Sequence, residues 1–183
     1  MRRLFFAAAL AALTAAGAHA QGRQEGTPRA EVFGGYAYGG SGSHGWDGSV
    51  AFNANRWLGF VADFGGQYTN LDAPDSSERI RTHSFLFGPR FSARRNRHVT
   101  PFAHALFGAA HNDSRAREAG LDFHFTDNGF ALALGGGLDV NLGRRVAVRA
   151  FQLDYLRMGF FEQTQHNGRL AFGLVLRLGE KKQ

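Results

Sequence analysis

The stretch Arg169-Leu170-Ala171-Phe172-Gly173-Leu174-Val175-Leu176-Arg177-Leu178 alternates residue by residue. Leu170, Phe172, Leu174, Leu176 and Leu178 fall on one face, and Arg169, Ala171, Gly173, Val175 and Arg177 on the other. A period of two marks a strand, because successive side chains point to opposite sides of the pleat. The bulky face is unbroken, while the other face combines small residues with charge.

The pattern recurs upstream. Trp46, Gly48, Val50, Phe52 and Ala54 oppose Asp47, Ser49, Ala51 and Asn53. Leu58, Phe60, Ala62, Phe64 and Tyr68 oppose Asp63 and Gln67. Phe85, Phe87, Pro89 and Phe91 oppose Ser84, Gly88, Arg90 and Ser92. Phe130, Leu132, Leu134, Leu138 and Val140 oppose Ala131, Ala133, Gly135, Gly137 and Asp139. Three further segments are strand-like but less regular. Residues 31–39 are aromatic on both faces, and residues 99–111 allow His104 on a polar face beside Phe102 and Leu106. In residues 145–158, Arg149 and Asp154 fall in opposite registers, so either one faces outward or a bulge intervenes. These segments make eight strands.

The connections alternate in length. Residues 39–45, 70–79, 112–128 and 160–168 are long connections, and residues 53–56, 93–98 and 141–145 are short ones. The short ones carry Arg56, Arg94, Arg95, Arg97, Arg144 and Arg145 and no acid. The long ones are mostly acidic, with Asp72, Asp75, Glu78, Asp113, Glu118, Asp122, Asp127 and Glu162 against Arg79, Arg115 and Arg117. Long–short alternation is what an up-and-down antiparallel barrel shows when one rim faces the exterior and the other the periplasm.

Composition decides which way the faces point. The chain has 183 residues, enough for one domain, with 25 Gly, 18 Phe and no Cys. The absence of Cys excludes a disulfide framework, a thiolate metal site, a cysteine nucleophile and a lipid-modified cysteine. An eight-stranded barrel is just wide enough inside for its side chains. The Phe and Leu residues would overfill it and leave no room for Asp47, Asp63, Arg90, Asp139 and Arg177. Turned inside out, the bulky face meets lipid, and Gly, Ala and Ser line a narrow interior in which charges pair. Closure leaves no unpaired backbone within the hydrocarbon. Tyr36, Tyr38, Trp46, Trp57, Tyr68 and Tyr155 then suit the lipid–water interfaces.

Residues 1–20 read separately. Met1-Arg2-Arg3 precedes an apolar run from Leu4 to Ala18 and a small-residue site at Ala18-His19-Ala20, the pattern of a secretory signal peptide cleaved before Gln21. The run falls short of the roughly 20 residues that a spanning helix needs. The domain expectation is therefore a signal peptide over 1–20, a flexible lead-in over 21–28, a barrel over 29–179 and a tail over 180–183.

The chain resembles the small eight-stranded outer-membrane β-barrel family, of the OmpA/OmpX transmembrane-domain kind. The resemblance rests on Glu31-Val32-Phe33-Gly34-Gly35-Tyr36-Ala37-Tyr38 and on Asn55-Arg56-Trp57-Leu58-Gly59 with Asp63-Phe64-Gly65-Gly66. It rests also on Phe87-Gly88-Pro89-Arg90, Phe130 through Asp139, Gln152-Leu153-Asp154-Tyr155 and Gly173 through Gly179. The chain departs from the family in lacking an aromatic residue at its end. The resemblance implies an all-β fold, an eight-stranded antiparallel up-and-down transmembrane β-barrel preceded by a cleaved signal peptide. It implies the outer membrane of a Gram-negative envelope, with outer-membrane lipids and the outer-membrane assembly machinery as partners, and a monomer. It further implies a polar interior cluster closed by salt bridges, for which the candidates are Asp63, Arg90, His104, Asp139, Asp154 and Arg177. Such a cluster is either a plug in a non-catalytic structural or surface-interaction protein or the gate of a narrow porin-like channel for small solutes or ions.

No catalytic, cofactor or metal site is expected. His83 and Ser84 lie on opposite faces, Ser43-His44 lies in a connection, and the histidines have no ligand spacing. Gly34-Gly35 and Gly135-Gly136-Gly137 lie within strand patterns and open no helix, so they are not phosphate loops. Arg56, Arg94, Arg95, Arg97, Arg144 and Arg145 read as a periplasmic basic rim rather than a nucleic-acid surface. Leu121, Phe123 and Phe125 alternate with Asp122 and His124, which suggests a strand rising beyond the membrane. Any extracellular partner is expected there, on the long loops.

Overall fold

In the computed structural model the chain is described over residues 26–73, 76–118, 121–160 and 163–181. The expected signal peptide lies outside these residues. Eight antiparallel strands form a closed barrel: β1 (Thr27–Gly39), β2 (His44–Asn53), β3 (Leu58–Ala73), β4 (Ser76–Ser92), β5 (Val99–Glu118), β6 (Leu121–Asn141), β7 (Val146–Phe160) and β8 (Gln163–Lys181). Each strand pairs with its sequence neighbours, and β1 pairs with β8, for example Val32 opposite Leu176, so no edge remains. Strand pairing runs past the expected bounds of 29–179, with Thr27 opposite Lys181 and Pro28 opposite Glu180.

The faces divide as the alternation requires. Phe52, Phe60, Phe85, Phe130 and Leu174 are all more than half exposed on the outer wall, as are Phe87 and Leu178. Asp47, Ser49, Ala51, Val61, Asp63, Ser84, Arg90, Ala131, Ala133, Asp139, Ala171 and Val175 are buried inside. The interior is not uniformly small, since Phe33, Leu86, Phe102, Leu106, Leu156 and Met158 also fill it.

The conflict in β7 is resolved by a bulge. Opposite β8, Arg149 pairs with Gly173 and Gln152 with Ala171, so β7 carries one extra residue between them. Ala150 and Phe151 both face outward, and Arg149 and Asp154 both point inward, at 2% and 4% exposure. The extra residue reverses the side-chain parity and spares a charge from the lipid.

The long connections need correction. They are for the most part strand: β3 continues to Ala73, β4 starts at Ser76, β5 reaches Glu118 and β6 begins at Leu121. With 20 and 21 residues, β5 and β6 are about twice the length that crosses a membrane. Alternating residues such as Phe123 and Phe125 simply continue the ladder, with Ala116 opposite Phe123 and Ser114 opposite Phe125. Among the described residues, 121–126 of β6 pair with β5 alone, because β7 pairs with β6 only from Ala131.

Candidate functional site: the charged lumen

Alternation aims one charged residue after another from the strands into the narrow lumen, where they are buried. A buried charge there is tolerated only when paired and hydrogen-bonded. The six residues expected inside (Asp63, Arg90, His104, Asp139, Asp154 and Arg177) are all buried, but they fall into two groups. Five residues outside the expected cluster join them: Glu31, Asp47, Arg149, Gln152 and Arg169. Glu31, Asp47 and Arg169 had the correct parity in their strands. Arg149 was hidden by the bulge.

The outer group centres on Arg169. Its Nη1 donates to Asp47 Oδ1 at 3.1 Å, and its Nη2 donates to Asp63 Oδ1 at 3.0 Å and to Asp154 Oδ2 at 2.7 Å. His104 Nε2 lies 2.8 Å from Asp154 Oδ1, a contact in which the imidazole N–H donates to the carboxylate. One guanidinium thus serves three carboxylates.

The inner group has the reverse balance. Glu31 Oε2 accepts from Arg94 Nη2 at 2.7 Å and lies 3.3 Å from Arg90 Nη2, while Glu31 Oε1 accepts from Arg177 Nε at 3.2 Å. Asp139 accepts from Arg90 Nη2 at 3.2 Å and from Arg149 Nε at 2.9 Å. The Arg149 guanidinium also stacks over Phe33 and Phe102, with ring centroids at 4.1 and 4.4 Å. Gln152 joins the groups: its Oε1 accepts from Arg149 Nη1 at 2.5 Å, and its Nε2 donates to Asp154 Oδ2 at 2.8 Å and Asp47 Oδ2 at 3.2 Å. A continuous chain of polar contacts therefore runs from Arg94 to Asp63.

Arg94 is a correction to the basic rim. It lies in the β4–β5 turn but folds inward onto Glu31, because that buried carboxylate stands at the mouth beside it. Arg144 pairs with Glu180 at 3.0 Å, so that part of the rim is not purely cationic. Arg56, Arg95, Arg97 and Arg145 remain exposed at this end.

Above the opposite rim the side chains are exposed. Phe123 and Phe125 share parity with the lumen-facing Ala131 and Ala133, so they line the inner side of the raised sheet; the side chain of Leu121 lies outside the described residues. On its outer side, Asp113 accepts from His124 at 3.1 Å and lies 3.4 Å from Arg115. The His124 hydrogen bond, with help from Arg115, holds its carboxyl below the ordinary carboxylate range. The contact is therefore present at neutral pH and is lost as pH falls through that lowered value.

Aromatic side chains stand toward both ends of the outer wall. Tyr36, Tyr38, Trp46, Tyr68 and Tyr155 lie toward the raised hairpins, and Trp57 stacks on Phe91 beside the short turns, with centroids 6.0 Å apart. The profile of the outer membrane protein beta-barrel domain family matches residues 5–177. The chain belongs to that family. Its place is therefore the Gram-negative outer membrane, with the Phe and Leu wall in lipid and these aromatic side chains toward the two interfaces.

Solved outer-membrane barrels are similar in fold. Ail, the attachment invasion locus protein of Yersinia pestis, matches at a TM-score of 0.64 and 17% identity, over 82% of this chain and 99% of that one. Ail in complex with the heparin analogue sucrose octasulfate matches at 0.61 and 17%, over 81% and 97%. Neisserial surface protein A matches at 0.58 and 16%, over 84% and 100%. No curated protein matches the chain.

Proposed function

We propose that this outer-membrane beta-barrel protein is non-catalytic and non-conducting: a monomeric barrel, exported through the signal peptide over residues 1–20 and inserted by the assembly machinery, whose lumen is plugged. The continuous network from Arg94 through Glu31, Arg90, Asp139, Arg149 and Gln152 to Arg169 and its three aspartates carries the reading. An ion passing through would have to separate several desolvated pairs in series, each worth far more inside than in water. In planar lipid bilayers the purified protein is expected to give no conductance steps across voltage and pH. Steps of constant amplitude would establish a narrow channel instead.

A surface-contact role is supported by the strands that rise above the membrane. Arg79, Arg81 and Arg115 are exposed on the outer side of that sheet. Ail is known in complex with a heparin analogue, which makes sulfated polysaccharide the first ligand class to test here. Proteoliposomes carrying the protein are expected to be retained on heparin at low salt. Replacing the three arginines by Gln is expected to lower retention about tenfold or more, through loss of salt-dependent contacts. Equal retention of the variant would remove this reading.

A further inference from the structure

The two halves of the lumen are oppositely charged. Among the described residues, three aspartates surround one arginine in the outer half: Asp47, Asp63 and Asp154 around Arg169. In the inner half, Glu31 and Asp139 face Arg90, Arg94, Arg149 and Arg177. Four cations thus share two carboxylates in a space screened from water. Buried charge without a counter-charge is costly, so this half is short of negative charge.

A second, independent observation lies at the same spot. Among the described residues, Arg90 Nε and Arg94 Nε are buried donors with no hydrogen-bond partner. Arg90 is almost wholly buried, at 2% exposure. Their guanidinium groups converge on one atom, Glu31 Oε2, at 3.3 and 2.7 Å, which brings both within reach of one small ligand. The unused donors are N–H groups, and the local charge is positive. The ligand that satisfies both conditions is an anion.

There is also a way in. Arg94 sits at the periplasmic mouth with its side chain 12% exposed, and Arg56, Arg95, Arg97 and Arg145 surround that mouth. A concentration of like charge at an opening raises the local density of counter-ions.

We infer that the inner half of the lumen is a binding site for a small inorganic anion, of chloride's size, held by Arg90 and Arg94 beside Glu31. The anion offsets the surplus cationic charge, satisfies the two unpartnered donors and completes the polar chain at its periplasmic end. This goes beyond the plug reading and does not depend on it, because the site exists whether or not the barrel conducts.

The test uses the full-length protein folded in phosphatidylcholine vesicles. Its thermal unfolding midpoint is read by gel mobility in sodium chloride, sodium bromide and sodium gluconate at equal ionic strength. Chloride and bromide are expected to raise the midpoint by about 3 °C over gluconate, the size that a site filled roughly tenfold above its dissociation constant gives in a domain of this length. Arg94→Gln is expected to abolish the difference. Crystals of the wild-type protein grown in bromide are expected to show an anomalous peak beside Arg90 Nε and Arg94 Nε, which decides the matter even if the variant does not fold. Equal midpoints in the three salts overturn the inference. So does a halide effect that survives Arg94→Gln, or the absence of a bromide peak beside Arg90 Nε and Arg94 Nε.

Discussion

Arg169→Leu is expected to destabilise the barrel by about 3–5 kcal/mol, the cost of leaving buried charge uncompensated. Set against a typical total of about 5–15 kcal/mol, this is a large share of the barrel's stability. Arg169 is the single guanidinium that neutralises Asp47, Asp63 and Asp154 together. Its removal places three carboxylates in one desolvated space, with His104 and Gln152 as the remaining donors. Arg177→Leu supplies the contrast. It removes one of four cations from the half where cations are in excess, so its cost is expected to be clearly smaller, although Arg177 also donates to Asn141 at 2.7 Å. Urea unfolding in lipid vesicles, followed by gel mobility, checks both variants. Equal midpoints for the two would show that the uneven distribution of charge has no energetic consequence.

Gly45→Ala is expected to be the most damaging of the single-methyl additions. A Cβ at Gly45 would stand 1.8 Å from the carbonyl oxygen of Gly66 on the neighbouring strand and 2.8 Å from its carbon. Both are backbone atoms of the barrel wall, so no flexible side chain can move aside. Relief requires β2 and β3 to separate where Asp47 and Asp63 are held by Arg169, and overpacking of this kind costs about 1–3 kcal/mol or more. Gly34→Ala is the control, because a Cβ there meets nothing within 4 Å on the lipid side. The expected outcome is a much reduced folded fraction for Gly45→Ala and a wild-type fraction for Gly34→Ala, measured from the heat-modifiable gel shift. Equal folded fractions would show that the wall yields locally.

The sequence made much of this architecture legible, for a geometric reason. In a barrel with lipid outside and a narrow lumen inside, each strand is constrained on both faces, so parity alone separates Phe130 from Ala131 and Leu170 from Arg169. Parity failed where the backbone departs from it. The bulge after Arg149 adds a residue that no composition signal announces, and it takes the β6 and β8 partners to locate it. Pair choice was also beyond reach. That Arg169 would gather three aspartates from β2, β3 and β7 depends on how the strands stagger around the cylinder, and shear is not written in any one strand. A short, basic turn alone places Arg94 on the rim. It turns inward because Glu31, four residues into β1, lies within reach of that turn. Residues 112–128 read as a connection that carries the alternating Leu121, Phe123 and Phe125, and cross-strand pairing extends β5 to Glu118 and starts β6 at Leu121 within it.

The place where β7 leaves β6 marks a level in the membrane. Below Ala131, β6 is hydrogen-bonded on both sides, as any backbone in hydrocarbon must be. Above it, among the described residues, 121–126 pair with β5 alone, and the amides and carbonyls of their other edge call for water. The upper boundary of the oily slab therefore lies no higher than the end of the β6–β7 ladder. The depth at which this protein sits is thus set by where a strand runs out of a neighbour as well as by where its tyrosines point.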